Sequence, residues 1–366
     1  MNVTFLIGNG FDLNLGLKTK YTDFIKSYVK SDKLDSREIE DFKKDLLKDK
    51  RNFNLWANAE IEMGRYSVEI AEKYGKRAAE IYCDLHDDFC EKLAIYLKKE
   101  QLKIKATEIK DAFLKSVTSV SKGFPLEQAN QINSIVKKGE ADVYNFIVYN
   151  YTTIIDELVA DNKKVGEHSY RNSSGAVITF RDYIKEIIHP HGTTTDSMVF
   201  GVNDITQIAN PQIFDGQPEE YISTFIKKEF NQMVEEGVFE KAQSILNNSG
   251  LIYIYGMSLG ETDKLWWQQI CNLLKQKQNL HVIIHSIDTP SNRLIPRKKI
   301  TFSKKLKEKL LSYADFTDGE NDSQLLKRIH VTGENIFAEI KNVAKDPSPQ
   351  ANNFFASNAK PLDIAN

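Results

Sequence analysis

Few cysteines, no long apolar run and no imbalance of charge mark this sequence, and each lack removes a class of protein. The three cysteines, Cys83, Cys90 and Cys271, form no Cys-x-x-Cys pair, which argues against a disulfide framework and against a four-thiolate zinc site. Cys83, His86 and Cys90 resemble a ligand trio on one helix. Asp84, Asp87 and Asp88 crowd the same turns and no fourth ligand is near, so an amphipathic helix is expected there and no metal. No apolar run approaches the roughly 20 residues of a membrane span. The first one is broken by Asn9 and Asp12 before it could serve as a signal-peptide core, and a cytoplasmic protein without membrane contact is expected. Lys+Arg 49 against Asp+Glu 51 leaves a net charge of −2, so nothing global points to nucleic acid or to an anionic membrane. There is no internal repeat. At 366 residues and 41% hydrophobic, the chain can bury a large core.

What organises the chain is its beginning. The apolar run Val3–Ile7 stops at Gly8-Asn9-Gly10, followed by Phe11-Asp12. A buried strand ending in Gly-x-Gly is how an α/β sheet bends sharply and aims free N–H groups of a helix at a phosphate. A third glycine at the usual place and an acid ending the second strand are both missing, so this is not the dehydrogenase fingerprint. Residues 11–30 read as a helix or helix-turn-helix. From Ser31 to about Glu140 strand signals vanish and apolar residues recur at helical spacing, among them Phe53, Leu55, Trp56, Ile70, Ile81, Leu85 and Phe89, which predicts a helical insertion.

Strands return at Val143–Tyr149, ending on Asn150-Tyr151-Thr152 ahead of a short helix, the βα unit. Residues 160–182 read as an irregular or hairpin excursion. Short strands are predicted at 186–189, before Pro190-His191-Gly192, and at 198–201. A helical region covers roughly 220–247. Leu251–Tyr255 runs without alternation into Gly256-Met257-Ser258-Leu259-Gly260, which suggests a strand buried on both faces. A helix over 263–275, a strand at 281–285, a helix over 302–312, a strand at 328–331 and a helix over 334–344 complete the reading. Of the adjacent Trp266 and Trp267, only one is expected to face the core. His281 and His285 bracket a strand and read as structural. His189 and His191 flank Pro190 and so face differently; His189 is expected to pack away from the crevice. In an open α/β sheet the strand ends near Gly8, Asn150 and Gly256 converge on one crevice. There an amide can hold a water or a ribose hydroxyl, and a histidine can accept a proton.

The order Gly8-Asn9-Gly10-Phe11-Asp12 with Gly16, Trp56 to Tyr66 with Glu60, Asn150-Tyr151-Thr152, His191-Gly192, Phe200-Gly201 and Tyr255–Gly260 with Asp263 resembles the AbiH family of bacterial abortive-infection proteins. AbiH-like proteins are in turn similar to sirtuin-type domains, whose pattern is Gly-Ala-Gly, a serine two residues on, a further glycine, an Asn turn, His-Gly and Gly-x-Ser. The resemblance implies a sirtuin-like, Rossmann-type α/β domain with a parallel sheet over 1–30 and 141–345, a helical insertion over 31–140 and a flexible tail over 346–366. It implies Asn150 and His191 as catalytic residues, and Gly8, Asn9, Gly10, Asp12, Gly256, Ser258 and Asp263 as the nucleotide-binding set. Asp12 stands where sirtuins carry a serine, and the zinc ribbon of deacetylating sirtuins is absent. The implied activity is therefore hydrolysis of NAD to nicotinamide and ADP-ribose in antiphage defence, with NAD as substrate and no metal. Two alternatives stay open: a non-catalytic nucleotide-binding sensor or scaffold, and a hydrolase acting on another nucleotide or nucleic-acid end. A phage-derived trigger, a defence partner protein and a homo-oligomer are the partners that the resemblance admits.

Overall fold

The computed structural model describes residues 1–30, 35–48, 58–136, 139–234, 237–290, 295–314 and 322–340. The helical reading at Phe53, Leu55 and Trp56, and the tail over 346–366, lie outside them.

Seven strands, β1 (Asn2–Ile7), β2 (Val143–Val148), β3 (Lys164–Arg171), β4 (Val177–Ile188), β5 (Leu251–Tyr255), β6 (His281–His285) and β7 (Ile329–Thr332), form one sheet. Their order is β3-β4-β2-β1-β5-β6-β7. Every pairing is parallel except the β3–β4 hairpin. The chain is an α/β protein with a mostly parallel sheet. β1 is central because all its side chains from Val3 to Ile7 are apolar or, as Thr4, satisfied by a side-chain partner; Thr4 Oγ1 lies 2.6 Å from Ser249 Oγ. Such a strand can be covered on both faces. Period-2 alternation sends Val3, Phe5 and Ile7 to one face, beneath Ile109, Phe113 and Ile132, and Leu6 to the other, beneath Trp267, Ile270 and Leu274. The segment between β1 and β2 thus supplies part of one sheet-covering layer. Its long helices, Ala59–Tyr74 and Ala78–Gln101, build a further core with Phe24, Tyr28, Phe200 and Phe225.

From β1 the sheet grows outward through β2 and β4 on one side and through β5, β6 and β7 on the other. The winding direction reverses between β1 and β5, and the carboxyl ends of these two strands bound a crevice at the switch point. Ile7 pairs with both Val148 and Tyr255, so Gly8, Tyr149 and Gly256 start from one level at one sheet edge.

Residues 11–30 hold two short helices, Gly10–Asn14 and Tyr21–Tyr28, the helix-turn-helix of the sequence reading. Several other elements differ from it. The strand predicted at 186–189 is the end of the longer β4, whose exposed first half forms the hairpin with β3. The strand predicted at 198–201 is absent: Val199 and Phe200 are apolar because this irregular segment crosses over the core of the insertion, where Phe200 packs on Phe89. Both tryptophans are buried, because the helix Lys264–Gln276 is flanked on two sides. Trp266 meets Tyr149 and Phe239, and Trp267 donates Nε1–H to Gly260 O at 2.9 Å. Over 334–340 the chain turns and becomes helical only at 338. No helix among the described residues is long and apolar enough to cross a membrane.

Candidate functional site

The two glycine turns pack on each other. Gly8 N–H donates to Tyr255 O (2.9 Å), Gly10 N–H to Gly256 O (2.8 Å) and Phe11 N–H to Gly8 O (2.9 Å). A Cβ at Gly10 would stand 2.3 Å from Gly256 Cα, and Gly256 has φ +69°. These glycines are required by backbone contact between the turns. The N–H groups of Gly8 and Gly10, which the sequence suggested would point at a phosphate, are committed to the protein. Asn9 is fixed as well, donating Nδ2–H to Thr19 O (2.9 Å) and accepting from Thr19 Oγ1 (2.5 Å).

Two residues past Gly10, Asp12 points inward and is buried. Its Oδ1 accepts from Asn150 Nδ2 (2.8 Å) and its Oδ2 from Thr152 Oγ1 (2.9 Å). Burial drives its pKa up to about 7, and the two hydrogen bonds hold it from rising further. Asp12 is the anchor that orients Asn150, whose Oδ1 is left buried without a hydrogen-bond partner.

His191 is carried in by a tight turn. Gly192 has φ +64°, and a Cβ there would lie 1.9 Å from Ser197 O; Gly192 N–H closes on His189 O at 3.0 Å and Val199 N–H on His191 O at 2.8 Å. The ring packs edge-on to Tyr149, with 5.2 Å between centroids. Burial, reinforced by the Lys227 ammonium, holds its pKa well below the ordinary 6.5, so the imidazole is neutral at physiological pH. Asp263 Oδ1 stands 3.7 Å from His191 Nε2, buried and without a hydrogen bond. Burial lifts the Asp263 pKa to about 6, against the pull of Lys227. His189 turns the other way, its Nε2 2.9 Å from Asp156 Oδ2 and its Nδ1 3.4 Å from Asn150 O.

A second polar group comes from elements that the sequence did not single out for chemistry. Glu60, in the first turn of Ala59–Tyr74, accepts from Tyr21 OH (3.1 Å) and Tyr151 OH (3.2 Å) on Oε1, and from Lys227 Nζ (2.8 Å) on Oε2. Lys227 is brought here by Lys227 N–H to Val202 O (2.9 Å). Both charged side chains are under 10% exposed. The insertion thus reaches the crevice, where Glu60 and Asn58 line it. Glu60 was visible only as part of the family pattern, and Lys227 carried no local signal.

These residues enclose two spaces. An outer groove of about 440 Å³ is lined by Gly8, Gly10, Lys20, Gly256, Ser258 and Asp263 among others. An inner pocket of about 80 Å³ is lined by Asn9, Asp12, Leu93, Leu97, Asn150 and Thr152 among others. Asn9, Tyr21, Glu60, Tyr149 and His191 line both. All nine residues expected at the site thus border one or other space. Asp142, His168 and Asp182, whose ligand atoms lie within 4.8 Å of one another, sit at the opposite end of β2.

A family model described as bacteriophage abortive infection AbiH matches residues 4–285. The chain belongs to the AbiH family. The match starts in β1 and ends with β6, so it spans both glycine turns, Glu60, Asn150, His191 and Lys227. Comparisons with curated proteins and with solved structures find no match. Membership in AbiH supports an abortive-infection role against phage.

Proposed function

We propose that this AbiH chain acts in abortive infection by hydrolysing NAD to nicotinamide and ADP-ribose. The observation that carries the reading is the group of buried polar atoms without partners, Asn150 Oδ1, Tyr149 OH and Asp263 Oδ1, gathered around a neutral histidine at the switch point. Buried polar atoms without partners are expensive, and a ribose with its hydroxyls and an attacking water is a ligand that would satisfy them. In this reaction the bond from C1′ of the ribose to the pyridinium nitrogen breaks, the electron pair leaves with nicotinamide, and water adds to a cationic sugar. His191, being neutral, takes the proton of that water. Asn150, held by Asp12, positions the ribose or the water.

Replacing His191 by Ala is expected to lower NAD cleavage by roughly 10² to 10⁴ with little change in melting temperature, read as nicotinamide released by purified protein. Asn150→Ala is expected to lower cleavage comparably and to destabilise by about 1–3 kcal/mol, since it strips a donor from buried Asp12. His189→Ala should keep most activity. Cleavage by well-folded His191→Ala at the wild-type rate would remove this mechanism. The commitment of the Gly8 and Gly10 amides to Tyr255 and Gly256 leaves the phosphates to side chains of the outer groove, Lys20, Thr22 and Ser258 among them.

A further inference from the structure

The two spaces of the site differ in charge. On the inner pocket lie two carboxylates, Asp12 and Glu60, and no lysine or arginine. Its histidine, His191, is neutral for the reason given above. The outer groove carries Lys20 and Lys227 together with the hydroxyl residues Thr22, Ser258 and Thr262, a set suited to phosphate oxygens. Glu60 and Asp263 also face the groove, and Lys227 pairs with Glu60 from that side at 2.8 Å. This pair largely cancels at the boundary between the two spaces, which leaves Lys20 to the groove and, to the inner pocket, Asp12 with only the neutral donors Asn150 and Thr152 as hydrogen-bond partners.

In a water-poor pocket an added charge acts on these side chains with little screening: a cation holds Asp12 ionised, whereas an anion drives it to take up a proton and lies against Glu60. We infer that the inner pocket takes the base end of a bound nucleotide as a cation and excludes an anion from that place, with Asp12 and Glu60 as the discriminating groups and the phosphates left in the outer groove. The inference rests on the nucleotide reading above and fixes which way the nucleotide lies. It also names the substrate class: a nucleotide whose base end has a net positive charge, as the pyridinium amide of NAD does and its nicotinic-acid counterpart, with a carboxylate beside the same ring cation, does not. The two orphan atoms at the inner pocket, Asn150 Oδ1 and Tyr149 OH, can accept hydrogen bonds from a ring amide or a sugar hydroxyl, and Asn150 Oδ1 repels a carboxylate there.

The test compares binding of NAD with that of the same dinucleotide carrying nicotinic acid in place of nicotinamide, measured by calorimetry on the full chain. In parallel, N-methylnicotinamide is compared with nicotinate as small probes of the inner pocket. NAD is expected to bind at least about tenfold tighter than its acid counterpart, and the small cation likewise tighter than nicotinate. Glu60→Gln and Asp12→Asn, checked for folding by their melting curves, should each shrink both ratios to less than about threefold. The wild-type ratios need no variant, so equal binding of the acid and the amide overturns the inference even if neither variant folds. Ratios that survive in both folded variants overturn it as well. If no dinucleotide binds but the small cation still outcompetes nicotinate and the variants erase that preference, the charge selectivity stands and the nucleotide reading falls. If none of the four probes binds, the inference falls with that reading.

Discussion

Asp12 illustrates how one residue can look like ligand chemistry in the sequence and act as an internal fixture in the fold. Two residues past Gly10, the sequence places a carboxylate where a pyrophosphate is expected. In the structure it is buried and spends both oxygens on Asn150 and Thr152, with its pKa lifted by burial to about 7. The folded protein therefore binds a proton that the unfolded chain releases above about pH 4, and this group's contribution to stability falls as pH rises from about 4 to about 7. His191, His281, His285 and His330 have pKa values lowered by burial. They act in the opposite sense, losing stability as pH falls below about 6.5. Comparing Asp12→Asn with wild type cancels these histidines to first order. The melting temperature of the variant relative to wild type should accordingly be higher at pH 8 than at pH 5, by a difference on the order of 1 to 4 kcal/mol in stability. A difference that is flat with pH would show that Asp12 titrates normally in the folded protein. The positions of Asn150 and His191 were legible because each follows a strand and precedes a turn residue. Their partner was not, since hydrogen bonds across more than a hundred residues leave no local pattern.

Among the elements, those with one dominant cause were legible. β1, β2 and β5 are mostly apolar runs, broken only by Thr4 and Asn145 inside them, that stop at polar or glycine turns, and they stand side by side as such runs do when helices cover both faces. Elements whose apolar residues serve another partner misled: the segment 198–201 looks like a strand, but its Phe200 fills the core beneath the insertion helices, and Trp266 and Trp267 lie between two layers. The glycines at the strand ends were read correctly as sharp turns, while their tolerance is set by contact between the turns. Gly10→Ala would push a methyl group into Gly256 Cα, at 2.3 Å, and neither backbone can yield without moving β1 or β5. We expect a loss of about 3 kcal/mol or more, read by chemical denaturation. A loss below about 1 kcal/mol would mean that the turns separate readily, which would make them a hinge.

At the scale of the whole molecule, the pair Glu60–Lys227 ties the insertion to the segment that follows β4, inside the crevice. Removing one partner leaves a buried charge alone, so Lys227→Met is expected to cost about 3–5 kcal/mol. Glu60→Gln combined with Lys227→Met should cost less than the sum of the single changes, by at least about 1 kcal/mol. Additive effects in that double-mutant cycle, followed by thermal or urea unfolding, would show that the two side chains do not support each other. The strand order has a further consequence, in time rather than in space. Val3 pairs with Leu251, so the strand at the heart of the sheet waits for one of its two neighbours until most of the chain has left the ribosome, at about 5–20 residues per second. During that interval β1 offers a bare apolar edge, and the crevice lacks Gly256, Ser258 and Asp263. The crevice is thus incomplete while the chain is being made, and a chain broken off before β5 is expected to aggregate rather than to act, which pulse-labelling of chains stalled on either side of residue 255 would reveal as a step in both solubility and nucleotide binding.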